Sequence, residues 1–173
     1  MTGSTQVRGP DLERARAIAG SVPDPELPML TLDDLGILRD VSVADGVVEV
    51  GLTPTYLGCP ALAEMRRDVV DRLGAAGFAQ VRVRTVLAPP WSSDDITPAG
   101  RRKLAAAGIA PPGPAPRRTG PVPLSLGPSR RLVQCPQCGS DTSTQTAAFS
   151  ATACKALYRC QACAEPFEYV KEI

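Results

Sequence analysis

The six cysteines are the residues of this chain best suited to metal binding or catalysis, because thiolates bind metals and react as nucleophiles. Four of them form two Cys-x-x-Cys pairs near the C-terminus, Cys135 with Cys138 and Cys160 with Cys163, with 21 residues between the pairs. Two short chelating turns at this spacing are typical of a four-thiolate metal site. The sequence contains no histidine, so imidazole ligands are excluded.

The C-terminal segment 131–173 is predicted to be a zinc-ribbon-like module, because it has few core-forming side chains and such pieces usually need a metal to fold. We expect zinc in a structural role, although four thiolates also suit an iron–sulfur centre. A dithiol redox pair is the third interpretation of these turns. Cys154 lies between the pairs, either as an additional ligand or as a small, half-buried residue.

A further cysteine, Cys59, stands apart in the sequence Gly58-Cys59-Pro60, where a helix is predicted to begin. The partial positive charge and the unpaired N–H groups of a helix N-terminus stabilise a thiolate. We therefore expect an accessible thiol whose pKa lies below its ordinary value of about 8.5. The alternative is a small, buried residue that caps the helix.

Helical and alternating periodicities predict a small α+β domain over residues 8–110, with the order helix, strand, strand, helix, strand, helix. The Asp45-Gly46 pair is a strong hairpin signal, and Thr97-Pro98 is typical of a helix start. The predicted elements are a helix over Pro10–Ala19, a hairpin over Leu38–Thr53, a helix over Pro60–Leu73, a strand over Ala79–Ala88 and a helix over Thr97–Gly108.

Residues 111–130 are predicted to link this domain to the cysteine module. Seven prolines fall between Pro111 and Pro128, a composition that cannot bury enough apolar surface to fold by itself. Such a segment is a semi-rigid tether that reaches up to about 55 Å when extended.

Composition excludes several classes of function. The net charge is +1 and aromatic residues make up 4%, which disfavours a nucleic-acid partner because neither a basic field nor a base-stacking surface is available. No stretch approaches the roughly 18 apolar residues of a membrane span, and Met1–Asp11 lacks the apolar core of a secretory signal. We therefore expect a cytoplasmic protein with reduced cysteines and no membrane partner. Without histidine, Ser-His-Asp and Cys-His catalysis are excluded.

Three sequence blocks resemble the SufT-like domain family of iron–sulfur assembly factors, in that family's order and over about residues 10–110. The blocks are Asp24–Pro28 (DPELP), Asp34–Val41 (DLGILRDV) and Thr53–Pro60 (TPTYLGCP). Further segments resemble one branch more narrowly, the phenylacetate-degradation protein D branch. These segments are Pro89–Thr97 (PPWSSDDIT), Gly100–Leu104 (GRRKL), Thr152–Cys160 (TACKALYRC) and Glu165–Phe167 (EPF).

The resemblance implies a non-enzymatic accessory protein that assists the insertion of an iron–sulfur cluster, or of iron, into the multi-subunit 1,2-phenylacetyl-CoA epoxidase. By the same resemblance, Cys59 is the cluster-handling thiol that binds this cargo transiently, and Asp24 and Glu26 form its acidic partner motif. The expected partners are the epoxidase subunits, above all the iron–sulfur reductase or the di-iron subunit. Whether two chains also form a homodimer is left open by the sequence.

Two other functions compete with this one. A thiol–disulfide oxidoreductase would use the Cys-x-x-Cys pairs, but neither pair follows a βαβ-type strand as a thioredoxin-like site would. A nucleic-acid-binding zinc ribbon is the third hypothesis, which the near-zero net charge and the scarce aromatic residues disfavour.

Overall fold

The computed structural model describes residues 9–56, 58–115 and 132–172, and the structural statements below refer to these residues. They divide into two compact units. The first runs to Trp91 and includes Asp95–Gly100, and the second comprises Ser92–Asp94 and resumes at Arg101.

The predicted domain boundaries, 8–110 and 131–173, stay predictions. Most of the predicted linker, 111–130, lies outside the described residues.

The first unit is a three-stranded sheet with two helices against it, which confirms the predicted α+β class. The sheet has the order β1-β2-β3, with β1 antiparallel to β2 and β2 parallel to β3. Its elements are α1 (Gly9–Gly20), β1 (Leu38–Ala44), β2 (Val47–Leu52), α2 (Leu62–Ala75) and β3 (Gln80–Thr85).

The hairpin of the first unit forms because Asp45 and Gly46 both adopt positive φ, 50° and 77°, as a type I′ turn requires. On the returning strand, Val48 and Val50 are fully buried. Glu49 between them faces outward and pairs with Arg84 at 3.4 Å. This alternation gives the sheet one apolar face and one charged face.

Helix α2 covers the apolar face of the sheet with a stripe of Met65, Val69 and Leu73, all buried. The three residues recur at four-residue spacing, so they lie on one side of the helix. A third helix, α3 (Pro98–Ala106), begins after Thr97, whose Oγ1 accepts the Gly100 N–H at 3.0 Å. This is the N-cap predicted from the sequence.

The second unit is built on a four-stranded sheet with the order β4-β7-β6-β5. Its strands are β4 (Ile109–Ala110), β5 (Ser143–Ala147), β6 (Lys155–Cys160) and β7 (Pro166–Val170). Neighbouring strands are antiparallel except β4 and β7, which are parallel. The sequence does not predict β4, because two residues are too few to show a period.

No helix among the described residues is long and apolar enough to cross a membrane.

Replacement of Leu73, which is fully buried, by alanine should lower the free energy of unfolding of the first unit by about 2–5 kcal/mol. The matched control is Leu87→Ala, because Leu87 is 56% exposed and its loss should cost less than about 0.5 kcal/mol. Chemical denaturation, monitored by the fluorescence of the single tryptophan, Trp91, gives the free energy of unfolding of each variant. Equal losses in the two variants would contradict the described core.

Candidate functional site

The structure brings the four cysteines of the two Cys-x-x-Cys pairs together. Their sulfur atoms all lie within 4.8 Å of one another, with Cys135 Sγ 3.8 Å from Cys163 Sγ and Cys138 Sγ 3.6 Å from Cys160 Sγ. A tetrahedral zinc ion with Zn–S bonds of about 2.3 Å places its sulfurs about 3.8 Å apart. The donor set therefore fits a structural zinc ion.

Each pair sits on a tight turn that is closed by backbone hydrogen bonds. In the first turn, Gly139 donates its N–H to the Cys135 carbonyl at 2.9 Å and has a positive φ, 74°, which glycine adopts without a steric cost. In the second turn Ala164 takes the corresponding place with φ 64°, which a residue with a Cβ rarely adopts. The sequence gives no signal for this strained alanine.

The thiols of the second turn differ in acidity. The backbone N–H groups of Cys163 and Ala162, directed at the sulfur, lower the pKa of Cys160 to about 6. The Glu165 N–H lowers the pKa of Cys163, but desolvation and hydrogen bonds to the other thiols raise it to about 12. Binding of a metal cation at this cluster releases thiol protons, because a metal binds cysteine as thiolate.

Aromatic side chains support the metal site from the core of the second unit. Tyr158 stacks on Phe167 with ring centroids 5.9 Å apart, and Tyr169 meets Tyr158 edge-on at 5.4 Å. The sequence analysis does not single out Tyr169. Its alternation with Phe167 along β7 is the signal that could have found it.

Cys154 is half-buried and, in the described part of the chain, is not among the four clustered thiols. Its sulfur lies 3.1 Å from Thr152 Oγ1, and its carbonyl accepts the Lys171 N–H at 2.9 Å. Its predicted role as an additional ligand stays a prediction.

The predicted acidic motif forms a tight turn in the first unit. Asp24 Oδ1 accepts the backbone N–H groups of Glu26 and Leu27, each at 2.8 Å. The Asp24 N–H donates to the Leu30 carbonyl at 2.9 Å, and Leu30 is fully buried. A buried leucine thus fixes the turn that presents the two carboxylates.

Cys59 lies just before α2, three residues ahead of the first helical residue. Its N–H donates to the Tyr56 carbonyl at 3.2 Å, and its side chain is half-buried. The backbone N–H groups of Ala61 and Leu62 lower the pKa of its sulfur, while the Leu62 N–H donates to the Cys59 carbonyl at 3.4 Å and Ala61 holds the N-cap position of α2. The helix-capping role that the sequence offers as the alternative for Cys59 stays a prediction.

The prediction of a lowered pKa for Cys59 was wrong. Burial raises the pKa of this thiol, and the carboxylates of Glu26 and Asp24 raise it further by Coulombic repulsion of the thiolate. The N–H groups of Ala61 and Leu62 act in the expected direction but do not outweigh these effects. The structure thus places Cys59 within electrostatic reach of both predicted acidic residues.

Comparisons with known proteins agree with this arrangement. A family profile described as an iron–sulfur cluster assembly protein matches residues 13–85, and one described as the PaaD zinc beta ribbon domain matches residues 119–171. A protein of Escherichia coli (strain K12), provisionally named as the D component of 1,2-phenylacetyl-CoA epoxidase, is 40% identical over 94% of this chain and 93% of its own length. The chain belongs to the family of this epoxidase component.

Two further relatives match part of the chain. An Fe-S protein maturation auxiliary factor of Porphyromonas gingivalis (strain ATCC BAA-308 / W83) is 36% identical over 43% of this chain and 71% of its own length. The crystal structure of a domain of unknown function, DUF59, from Bacillus anthracis superposes with a TM-score of 0.50 at 26% identity. The match covers 54% of this chain and 90% of that domain. The chain thus joins an assembly-type domain to a zinc-ribbon domain.

Removal of the metal with a chelator should unfold the sheet of the second unit while leaving the first unit folded, because the metal supplies most of the folding free energy of such a module. We expect loss of the near-ultraviolet circular dichroism of Tyr158 and Tyr169, with the fluorescence of Trp91 unchanged. A Cys138→Ser variant should behave in the same way without a chelator.

The matched control is Cys154→Ser, which should keep one metal ion per chain by elemental analysis. Retention of the tyrosine signal in metal-free protein would contradict this account of the second unit.

Proposed function

We propose that this protein is a non-enzymatic accessory factor that helps to load iron, or an iron–sulfur cluster, into the multi-subunit 1,2-phenylacetyl-CoA epoxidase. The observation that carries the proposal is the half-buried Cys59 thiol within electrostatic reach of the Glu26 and Asp24 carboxylates, in an assembly-type domain. The name of the Escherichia coli relative supports the epoxidase as the recipient, and that of the Porphyromonas gingivalis relative supports maturation as the task.

The electrostatics of Cys59 suit a transient cation better than a nucleophilic reaction. Burial and two carboxylates keep the thiol protonated, so a bare thiolate is scarce at neutral pH. A ferrous ion offsets the repulsion between thiolate and carboxylates, and its binding releases the proton. One soft sulfur and hard oxygens form a mixed donor set that lets the ion bind and leave.

The second unit serves this function as a folded module for contact with partner subunits. Cys135, Cys138, Cys160 and Cys163 would hold a zinc ion whose role is structural, since all four positions are filled by protein ligands. Bound zinc stabilises modules of this kind by about 10–16 kcal/mol. The epoxidase subunits that contain iron, the iron–sulfur reductase and the di-iron subunit, are the proposed recipients.

The competing function, thiol–disulfide exchange at the Cys-x-x-Cys turns, requires free dithiols. The close approach of all four sulfurs, within 4.8 Å, favours metal binding over two separate redox pairs. The absence of histidine from the sequence also removes the commonest general base, in accord with a protein that has no catalytic step of its own.

The proposal predicts that Cys59→Ser folds normally but leaves the epoxidase poor in iron. The measurement is the iron content and activity of the epoxidase purified from cells in which the variant replaces the wild-type protein, and both should fall severalfold. Cys154→Ser is the matched control, because it removes a half-buried thiol from the other unit. Full iron content with Cys59→Ser would contradict the proposal.

A further inference from the structure

The four clustered cysteines of the second unit differ in their exposure to solvent. Cys135 and Cys160, the first cysteine of each turn, are each 1% exposed and belong to the hydrophobic core of this unit. Cys138 and Cys163, the second cysteine of each turn, are exposed. The metal site is therefore closed on the side of the core and open to dissolved reagents on the other side.

Each exposed sulfur lies against a buried sulfur of the other turn. Cys138 Sγ is 3.6 Å from Cys160 Sγ, and Cys163 Sγ is 3.8 Å from Cys135 Sγ. Four sulfurs around a zinc ion are about 3.8 Å apart, so metal binding preserves both contacts. A disulfide bond is about 2.0 Å long, so either pair has to approach by less than about 2 Å to form one.

The cluster is also the part of the chain most reactive toward an oxidant. Cysteines that bind a metal are thiolates, and thiolates rather than thiols react with hydroperoxides. Cys59 and Cys154, by contrast, are half-buried, and burial together with nearby carboxylates raises the pKa of Cys59. A peroxide should therefore react with the exposed sulfurs of the cluster first.

We propose that Cys138 and Cys163 are oxidation sites for hydroperoxides, and that the buried cysteine of the opposite turn converts each oxidised sulfur into a disulfide. The expected bonds are Cys138–Cys160 and Cys135–Cys163. This inference goes beyond the proposed function and requires no iron at Cys59. Without an oxidant, the four thiolates retain their metal.

The chemistry consumes one molecule of hydrogen peroxide per disulfide. The exposed thiolate attacks one peroxide oxygen, the O–O bond breaks, and the sulfur becomes a sulfenic acid while hydroxide leaves and is protonated to water. The buried thiolate then attacks this sulfur, forms the S–S bond and expels a second hydroxide, which also becomes water. The two sulfurs lose two electrons and the peroxide gains them.

The first disulfide leaves two of the four thiolates, which is too few for a structural zinc site. Because a module of this kind needs its metal to fold, peroxide would disable the second unit. A dithiol reductant regenerates the thiolates by exchange, so the change is reversible.

The sequence offers a direct test of the disulfide pattern. Trypsin cleaves after Lys155 and Arg159, so it separates the peptide with Cys135 and Cys138 from the peptide that begins at Cys160. Disulfides between the turns keep these two peptides linked, whereas disulfides within each turn leave them separate. Cys154 lies in the first of the two peptides, so Cys154→Ser is the control that excludes a link through this residue.

The experiment treats the full-length, zinc-loaded protein with hydrogen peroxide. A chromogenic chelator measures the zinc released, and mass spectrometry after alkylation of the free thiols identifies the linked peptides. Dimedone, which reacts with sulfenic acids, marks the sulfur that is oxidised first. Dithiothreitol and added zinc then test whether the change is reversible.

We expect the zinc to be released as the linked peptides appear, in the wild-type protein and in Cys154→Ser alike, with dimedone on Cys138 and Cys163. Dithiothreitol and zinc should restore the metal content. Separate peptides with a disulfide inside each turn would overturn the proposal, as would a link that is absent from Cys154→Ser. Oxidation of Cys59 with the zinc retained would overturn it as well. No iron enters the experiment, so its failure is distinct from a failure of the proposed function.

Discussion

The proposed function depends on the electrostatic environment of Cys59, a half-buried thiol whose pKa is raised by burial and by the carboxylates of Glu26 and Asp24. Burial is the largest cause of the raised pKa of Cys59, and Coulombic repulsion by Glu26 and Asp24 adds to it. The fold holds both partners in place. Leu30, which is fully buried, anchors the acidic turn, and the Cys59 N–H donates to the Tyr56 carbonyl at 3.2 Å just before α2. Under the proposed function, a cation that binds at Cys59 offsets this repulsion and is able to dissociate again.

The four-cysteine cluster and Cys59 differ in the number and the kind of ligand atoms that they offer a metal. The four thiols of the second unit surround a tetrahedral position completely, which is typical of metals that stabilise a fold and do not leave. Cys59 offers one sulfur beside oxygen donors, and in the described ranges it is not part of a compact set of three or more ligands. Under the proposed function, the four-thiol site retains a structural metal while Cys59 transfers cargo iron.

Much of this organisation could be predicted from the sequence, because it depends on local signals. The Asp45-Gly46 turn, the stripe of α2 and the Thr97 cap each follow from neighbouring residues. The Cys-x-x-Cys spacing indicates which sulfurs meet. The acidity of Cys59 could not be predicted in the same way. The helix N–H groups act as expected, but burial and the charge of Glu26, 33 positions earlier in the sequence, reverse the outcome. The parallel pairing of β4 with β7 and the positive φ of Ala164 are likewise tertiary effects.

The proposed function requires that cargo iron binds at Cys59 and not in the cysteine cluster of the second unit. Mössbauer spectroscopy of the anaerobic, zinc-loaded protein after addition of one equivalent of ⁵⁷Fe(II) tests this requirement most directly. Binding at Cys59 predicts a high-spin ferrous signal with mixed sulfur and oxygen ligands, which disappears in Cys59→Ser while the zinc content stays constant. A signal with four sulfur ligands, accompanied by loss of zinc and unaffected by Cys59→Ser, would contradict it.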